Sequence, residues 1–593
     1  MPSFVTRRAL IQKSLMGFGA LSVASSLVGC NDDDDQDSDH APKVEFLHGV
    51  ASGDPLQDRM ILWTRISPED ASLRVNVTWE VASDAAFSQI IATGKVETSI
   101  AVDFTVKVDA TGLDAGQAYF YRFKCGSAIS ATGQSKTLAT QTDQVSFAVC
   151  SCSNYPAGYF HVYAEMAKQD VDVVIHLGDY IYEYGADGYA TEDAVALGRT
   201  LAADNNVEIV KLDDYRKRYA LYRTDADLQA LHLRHPFIVV WDDHELANDT
   251  WREGAENHQD NEGDFFERKL AALQAYFEWM PIRPISEDDH LNIYRQFNFG
   301  ELVQLNMLDT RILARDEQLD YADYITASGV DFATFQANLT AQNRTLMGYA
   351  QRAWLQQQLA MSTATWNVLG QQVLMAKMLI PAELLMSLSA VTSGNVTADT
   401  LAAMNAQITE LVTIKMRIAQ GDTSVTAQEK ARISTVAPYN LDAWDGYYYE
   451  REVLYGTLMQ LGKKVVVLAG DTHNAWSSYL YSQATDTQSS SYVGVELATS
   501  SVSSPGMEKY LNISQAQLQQ FEMAFTTLID ELAYTNLNQR GYLTVTFDQV
   551  QMQANWIFVD TIKDKEYSVD SSRAHQLTLD VDLNVKTDSA QVA

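Results

Sequence analysis

VDVVIHLGDYIYEY, running from Val171 to Tyr184, is the stretch from which the fold is read. Five of its first seven residues are apolar, which makes a short buried strand. Gly178, Asp179, Tyr180, Tyr182 and Glu183 follow at once, where a parallel strand ends and where an α/β protein gathers its ligand-binding groups. Glycine allows a sharp turn, a carboxylate is a hard oxygen ligand, and a phenol a few residues on returns to the same point if the loop turns once. A metal ion is the guest such a loop suits. Gly-Asp after a strand is also ordinary turn punctuation, so the pattern gains weight only by recurring.

It recurs along the chain. Val145 to Val149 runs into Cys150, Ser151, Cys152, Ser153 and Asn154; Phe237 to Trp241 runs into Asp242, Asp243, His244 and Glu245, with Asn248 and Asp249 close behind. Leu302 to Leu308 ends in Asp309, Thr310 and Arg311, Trp366 to Leu369 is a weaker strand, and Val465 to Ala469 is followed by Gly470, Asp471, Thr472 and His473. Most of these six candidate strands carry Cys, Asp, Tyr, His or Asn within a few residues of the carboxyl end, as a metal-centred α/β site requires.

Upstream, residues 44–140 read as a small all-β domain: Leu73, Val75, Val77, Trp79 and Val81 alternate with polar residues, and Phe104 to Val108 and Tyr119 to Phe123 repeat the period of two. The turn Gly112 to Tyr119 resembles that into a late strand of fibronectin-III-like domains, which are scaffolds more often than catalysts. Val50 to Pro55 reads as a turn, with a site role for Asp54 as the alternative. The catalytic region is expected over 141–575, with a helical insertion at about 381–432 in which Leu401, Met404, Ile408, Leu411 and Lys415 keep helical spacing and Gly421 suits the stop. That insertion packs as a core stripe or shapes access as a lid. Leu543 to Phe547 and Trp556 to Phe558 predict a last hairpin, and 576–593 reads as a polar tail.

The chain has 593 residues, enough for a large core and more than one domain, and its formal net charge of -34 excludes nucleic acid as an electrostatic partner of the whole surface. An anionic substrate needs local cations or an arginine. Residues 1–30 read as an address: Thr6 to Ile11 with Arg7-Arg8 resembles a twin-arginine export signal, and Leu27 to Cys30 a lipobox that makes Cys30 a membrane anchor. An uncleaved anchor or a plain leader is the alternative. Residues 31–43 form an acidic tether. With Cys30 lipidated, Cys125, Cys150 and Cys152 remain, an odd set that leaves at least one thiol free or ligating.

Each cluster has a plain structural alternative. Asp242 to Glu245 could be a helix-capping network, yet adjacent carboxylates at one strand end repel unless a cation neutralises them. Gly470 to His473 is weak alone, but with the others it completes the stock of a two-metal hydrolase, whose ions make hydroxide available at neutral pH. Cys152 is an inert buried thiol, a partner for Cys125, or a thiolate ligand that with a Tyr182 phenolate suits ferric iron, leaving calcium to the oxygen-rich remainder. Arg311 is a salt bridge or a forked phosphate holder.

Taken together, HGVASGD (48–54), LWTR (62–65), Ser151-Cys152, HLGDYIYE (176–183), WDDHE (241–245) with Asn248, DTR (309–311), WDGY (444–447) and GDTH (470–473) resemble the PhoD-like alkaline phosphatase family. The resemblance implies an N-terminal β domain followed by an αββα metallophosphatase-like sandwich related to purple acid phosphatases, with one Fe3+ and two Ca2+ ions. It places Cys152, Asp179 and Tyr182 at the iron, with Asp179 bridging, and gives Asp243, Asn248 and Asp471 to the metals. Arg311 would hold phosphate, and His244 and His473 would line the site. Whether Asp242 or Asp243 ligates stays open, and Cys150 lies outside the pattern.

The expected activity is hydrolysis of small phosphomonoesters, with diesters in addition, by metal-activated hydroxide in an exported, periplasmic or cell-surface lipoprotein. A phosphodiesterase or phospholipase D-like enzyme on the same scaffold, and a non-catalytic binding lipoprotein, are the alternatives.

Overall fold

Val173, Val174, Ile175 and His176 form a strand in which every residue is buried. Alternate side chains go to opposite faces. Val173 and Ile175 enter one apolar core and Val174 another, so the run is continuously apolar because both faces are covered. Each such fully buried side chain contributes about 1.5–3 kcal/mol. The computed structural model containing it describes residues 42–286, 290–326, 329–392, 397–483, 490–511, 514 and 517–590. The expected export signal, Cys30 and nearly all of the acidic tether lie outside the described residues.

This strand belongs to a ten-stranded sheet whose middle is parallel: Gln144–Cys150, Val173–His176, Pro236–Val239 and Val50–Gly53 are successive neighbours. A seven-stranded sheet repeats the plan with Val303–Met307, Trp366–Gly370, Val465–Ala469 and Ser490–Ala498. The sheets pack face to face, since Val149, Val173 and Ile175 share a core with Leu305, Val368 and Val466. Helices Leu212–Tyr222 and Phe265–Trp279 cover the outer face of the first sheet. Gly348–Met361, Tyr448–Leu461 and Leu518–Leu528 cover the second. The layers therefore run helix, sheet, sheet, helix.

Three expectations change, the first being that Val50–Gly53 is a strand and not part of the turn read over Val50 to Pro55. The all-β region is not self-contained: Val75–Ala82, Ile90–Thr98 and Ala118–Cys125 lie in a separate five-stranded sheet, but Val50–Gly53, Arg59–Arg65 and Thr105–Thr111 continue the ten-stranded one. Val77, Tyr121 and Phe123 pack against Met60, Leu62 and Val106 across that junction. Period-two alternation identifies strands without saying which sheet they join. Gly53 permits the join, because a Cβ there would stand 2.8 Å from the carbonyl oxygen of Phe237 on the neighbouring strand and 2.1 Å from that of Pro281. The tail is structured as well. His575–Asp580 and Val585–Ala590 extend the ten-stranded sheet, with Leu577 and Leu579 fully buried.

The insertion is helical: Ala382–Thr392, Ala398–Ala419 and Ala427–Ser434. Thr397 and Thr426 close capping boxes, Gly421 adopts φ +73° after the second helix, and Met404, Ile408 and Leu411 are buried against the core.

Candidate functional site

The strand ends of both sheets meet in three overlapping groups. Cys152, Asp179 and His473 are one, Asp179, Asp243 and His244 the second, and Asp242, Asp243 and Asp471 the third; within each, potential ligand atoms lie within 4.8 Å of one another. The parallel bridge Ser151–Ser501 ties the two sheets together beside them.

Tight backbone turns aim these side chains inward. Cys152, Asp179, Asp471 and His473 all have left-handed φ, between 55° and 65°. Such conformations cost on the order of 1 kcal/mol each and persist where surrounding structure enforces them. Gly178 lets the Asp179 turn lie against the next strand end, since a Cβ there would meet the Asp242 Cβ at 2.4 Å. Glu245 clasps both turns, accepting the backbone N–H groups of Asp179 (3.0 Å), Tyr180 (2.6 Å) and Asp242 (2.6 Å). The Tyr182 hydroxyl donates to Asp179 Oδ2 at 3.0 Å, receives a hydrogen bond from Ser504 Oγ at 2.7 Å and lies 3.2 Å from His473 Nε2.

Burial and crowding set the charges. Burial pushes the Asp179 carboxyl up to about 6, and it raises Asp242 and Asp471 well above the carboxylate range. For Asp243 the same desolvation is outweighed by Arg311 and His244, which hold it at about 2. His244 resists burial because Glu183, Asp179 and Asp243 surround it, so its imidazolium persists well above the ordinary histidine range, with Nδ1 donating to Glu183 Oε2 at 2.7 Å. His473 is the opposite case. Burial takes it down to about 3, so it is neutral, and Nδ1 donates to the Pro505 carbonyl at 2.7 Å. That tautomer leaves a lone pair on Nε2, 3.9 Å from Asp179 Oδ2.

The donors fit a pair or more of cations. Asp179 Oδ1 and Asp242 Oδ2 are buried without a hydrogen-bond partner, an arrangement that costs stability unless something positive takes them. Burial, reinforced by Asp179, holds the Cys152 thiol and the Tyr182 phenol protonated, and both lose their protons readily to a bound metal.

The expected residues do not all stand alike. Cys152, Asp179, Asp243, His244, Asp471 and His473 come together, and Asp242 and Asp243 both fall within ligand range. Tyr182 joins them through Asp179. Arg311 is fully buried and bonded to Asp242 (2.5 Å), Asp442 (2.7 Å) and Asp471 (2.7 Å). Asn248 stands at the edge, its amide donating to Glu256 Oε2 at 3.1 Å and its backbone N–H to Glu183. Cys125, Cys150 and Cys152 are all free, so no pairing with Cys125 occurs, and Cys150 is buried in the apolar core away from the three groups. Asp54 serves structure, paired with Arg295 at 2.7 Å, as does Asp445 of WDGY, paired with Arg451 at 2.6 Å.

Four participants have no role assigned from the sequence. Glu183 holds His244, Glu245 clasps two turns, Asp442 grips Arg311 and Arg315, and Ser504 supports Tyr182. Glu183 and Glu245 lie inside quoted motifs; Ser504 carries no local signal beyond the polar run after the strand Ser490–Ala498, and Asp442 none beyond the loop after Val436–Pro438.

A family model described as PhoD-like phosphatase matches residues 147–556, and one described as PhoD-like phosphatase, N-terminal domain, matches residues 31–139. Alkaline phosphatase D of Bacillus subtilis (strain 168) is 35% identical over 473 residues, covering 78% of this chain and 70% of that protein. A solved structure described as "Structure of PhoD" superposes with a TM-score of 0.71 at 30% identity, covering 93% of each chain. The strand-end cluster thus sits within the matched span, and the chain belongs to the PhoD-like phosphatase family, a family of phosphate-ester hydrolases.

Proposed function

We propose that this chain is an exported, lipid-anchored, metal-dependent phosphoesterase acting on small phosphomonoesters, with Fe3+ and Ca2+ as its cations. The observation that carries the reading is the buried carboxylate cluster around Arg311, with two partnerless carboxylate oxygens. Cys152, Tyr182, Asp179 and His473 supply the thiolate, phenolate, carboxylate and imidazole that suit ferric iron, and Asp242, Asp243 and Asp471 the oxygen set that suits calcium. Cations bound there polarise phosphoryl oxygens and acidify water.

The chain's own groups do the rest. With Asp242 and Asp471 engaged by cations, the Arg311 fork takes two phosphate oxygens and stabilises the charge that builds on them. His244, kept protonated by Glu183, gives a proton from Nε2 to the departing alcohol oxygen. Asn248 supports the calcium side from the edge of the site. Arg7-Arg8 and Cys30 support export by the twin-arginine machinery and anchoring to a bacterial membrane.

The test is to express the full chain in a bacterium with a twin-arginine exporter, recover it from the membrane fraction, measure its metals and follow p-nitrophenyl phosphate against its bis ester. Iron and calcium are expected, with turnover lost on chelation and restored only by both ions. Undiminished turnover of the stripped protein overturns the metal assignment, and a faster bis ester moves the reading to the diesterase alternative.

A further inference from the structure

The insertion helix Ala382–Thr392 forms one wall of a cavity of about 500 Å³ that no quoted family motif reaches. Leu385 and Met386 come from that helix, Tyr439 from the loop after Val436–Pro438, and Met507 and Tyr510 from the short helix Met507–Tyr510. None of the described residues lining it is charged. Met386 is 65% exposed and Tyr510 49%, so the cavity opens to water. On a chain of net charge -34, a cluster of large apolar groups left in solvent marks a binding surface.

Its position ties it to the catalytic cluster from two sides. The Tyr510 hydroxyl donates to Tyr189 Oη at 2.8 Å, and Tyr189 Oη lies 3.2 Å from His473 Nδ1. Tyr439 is shared with a second cavity of about 990 Å³, into which Asp249 and the Arg311 partner Asp442 also face. That larger cavity carries seven carboxylates against one arginine, so it repels a further anionic group and offers an apolar one little. The two spaces flanking the phosphate position therefore differ in kind. A pocket of a few hundred Å³ with apolar walls and a few phenols at its rim suits a small hydrocarbon group.

We propose that the apolar cavity is the subsite for a hydrocarbon ester group of the substrate, one whose phosphate lies at Arg311 and whose chain lies between Leu385, Met386, Tyr439 and Tyr510. The assignment rests on the phosphoesterase reading and narrows it to phosphate esters of apolar alcohols. Met386 and Leu385 are specificity residues, and they take no part in the bond cleavage.

The test uses the metal-loaded full chain. Affinities of methyl-, butyl- and hexylphosphonate are measured by calorimetry, and hydrolysis of the matching alkyl phosphates is measured alongside. Each methylene is expected to tighten binding by about two- to fourfold, following the free energy of burying a CH2 group. Met386→Glu, and independently Leu385→Gln, are expected to flatten the series while leaving methylphosphonate unchanged. A flat series in the native chain overturns the subsite, as does a series equally steep in both variants. Preference for choline phosphate over hexyl phosphate also overturns it, by moving the ester group to the acidic cavity. So does a dimer that Met386→Glu dissociates, by making a second copy the occupant. If no ester is hydrolysed while phosphonate affinity still climbs with chain length, the phosphoesterase reading falls and the subsite stands.

Discussion

Aspartates in the insertion and aspartates in the carboxylate cluster have opposite surroundings. In the insertion, Arg417 pairs with Asp422 and Glu429 at 2.8 Å each, and Arg432 with Glu383 (2.8 Å) and Glu410 (2.7 Å). Ser424 and Arg417 bring the partly exposed Asp422 down to about 2. In the cluster, burial drives Asp179 up to about 6 and leaves one of its oxygens without a partner. The insertion answers its charges with ion pairs between its own three helices and the loop that joins them, whereas the cluster gathers charge that the polypeptide alone does not balance. Local rules are broken in the buried carboxylate cluster and kept where only packing is asked.

The contrast breaks most readily at Asp179. Asp179→Ala is expected to lower kcat/KM for p-nitrophenyl phosphate more than a thousandfold, a cost of about 4 kcal/mol, and to lose metal by elemental analysis; turnover near the native rate with native metal content refutes the site.

Next in size is the pH response of chelator-stripped protein. Asp179 keeps its proton in the fold up to about 6, against 3.8 ordinarily, so the folded state binds more protons between these values and stability falls as pH rises through them. The unfolding free energy from denaturant titration is expected to fall between pH 4 and 7 by an amount on the order of 3 kcal/mol, and saturating metal is expected to erase the trend. Asp422 has the opposite sign, its contribution being present above 3.8 and lost toward pH 2. A stripped protein that gains stability over the same interval contradicts the assignment of the cluster.

Glu183→Gln sharpens the comparison inside the site. Removing the charge opposite His244 is expected to cost about 10- to 100-fold in kcat and to shift the alkaline limb of the pH–rate profile downward with KM unmoved. A uniform loss with an unshifted profile assigns Glu183 a purely structural role.

Arg432→Ala is the smallest expected change, at most about 1 kcal/mol by chemical denaturation, because its partners remain hydrated. A larger loss would show that the insertion depends on its ion pairs more than its solvation suggests.

Much of this was legible from residue patterns. Hydrophobic runs that stop at Gly178, Asp242 and Gly470 marked the strands and the side of the sheet that holds the site, because a doubly covered strand leaves no polar residue until it ends. The helical spacing of Met404, Ile408 and Leu411 likewise reported a buried stripe. Alternation could not show that Val50–Gly53 joins the catalytic sheet, because partner choice depends on backbone approach at Gly53, a tertiary fact. Leu577 and Leu579 were masked by polar neighbours in their strand. Among site residues, ligand types in motifs were readable, whereas Glu245 and Ser504 act by hydrogen bonds to groups 65 and 322 residues distant, which no spacing rule encodes.

The pairing of Gln144–Cys150 with Arg540–Asp548 has a temporal consequence. The strand that delivers Cys152 has no partner on that edge until Arg540–Asp548 has been made. At about 5–20 residues per second, roughly 20–80 seconds separate the synthesis of the two strands. Throughout that interval an apolar strand edge stands open, a hazard for intermolecular pairing. Until Arg540–Asp548 pairs with it, holding the unfinished sheet apart from its neighbours is a task that this edge leaves to something outside the chain.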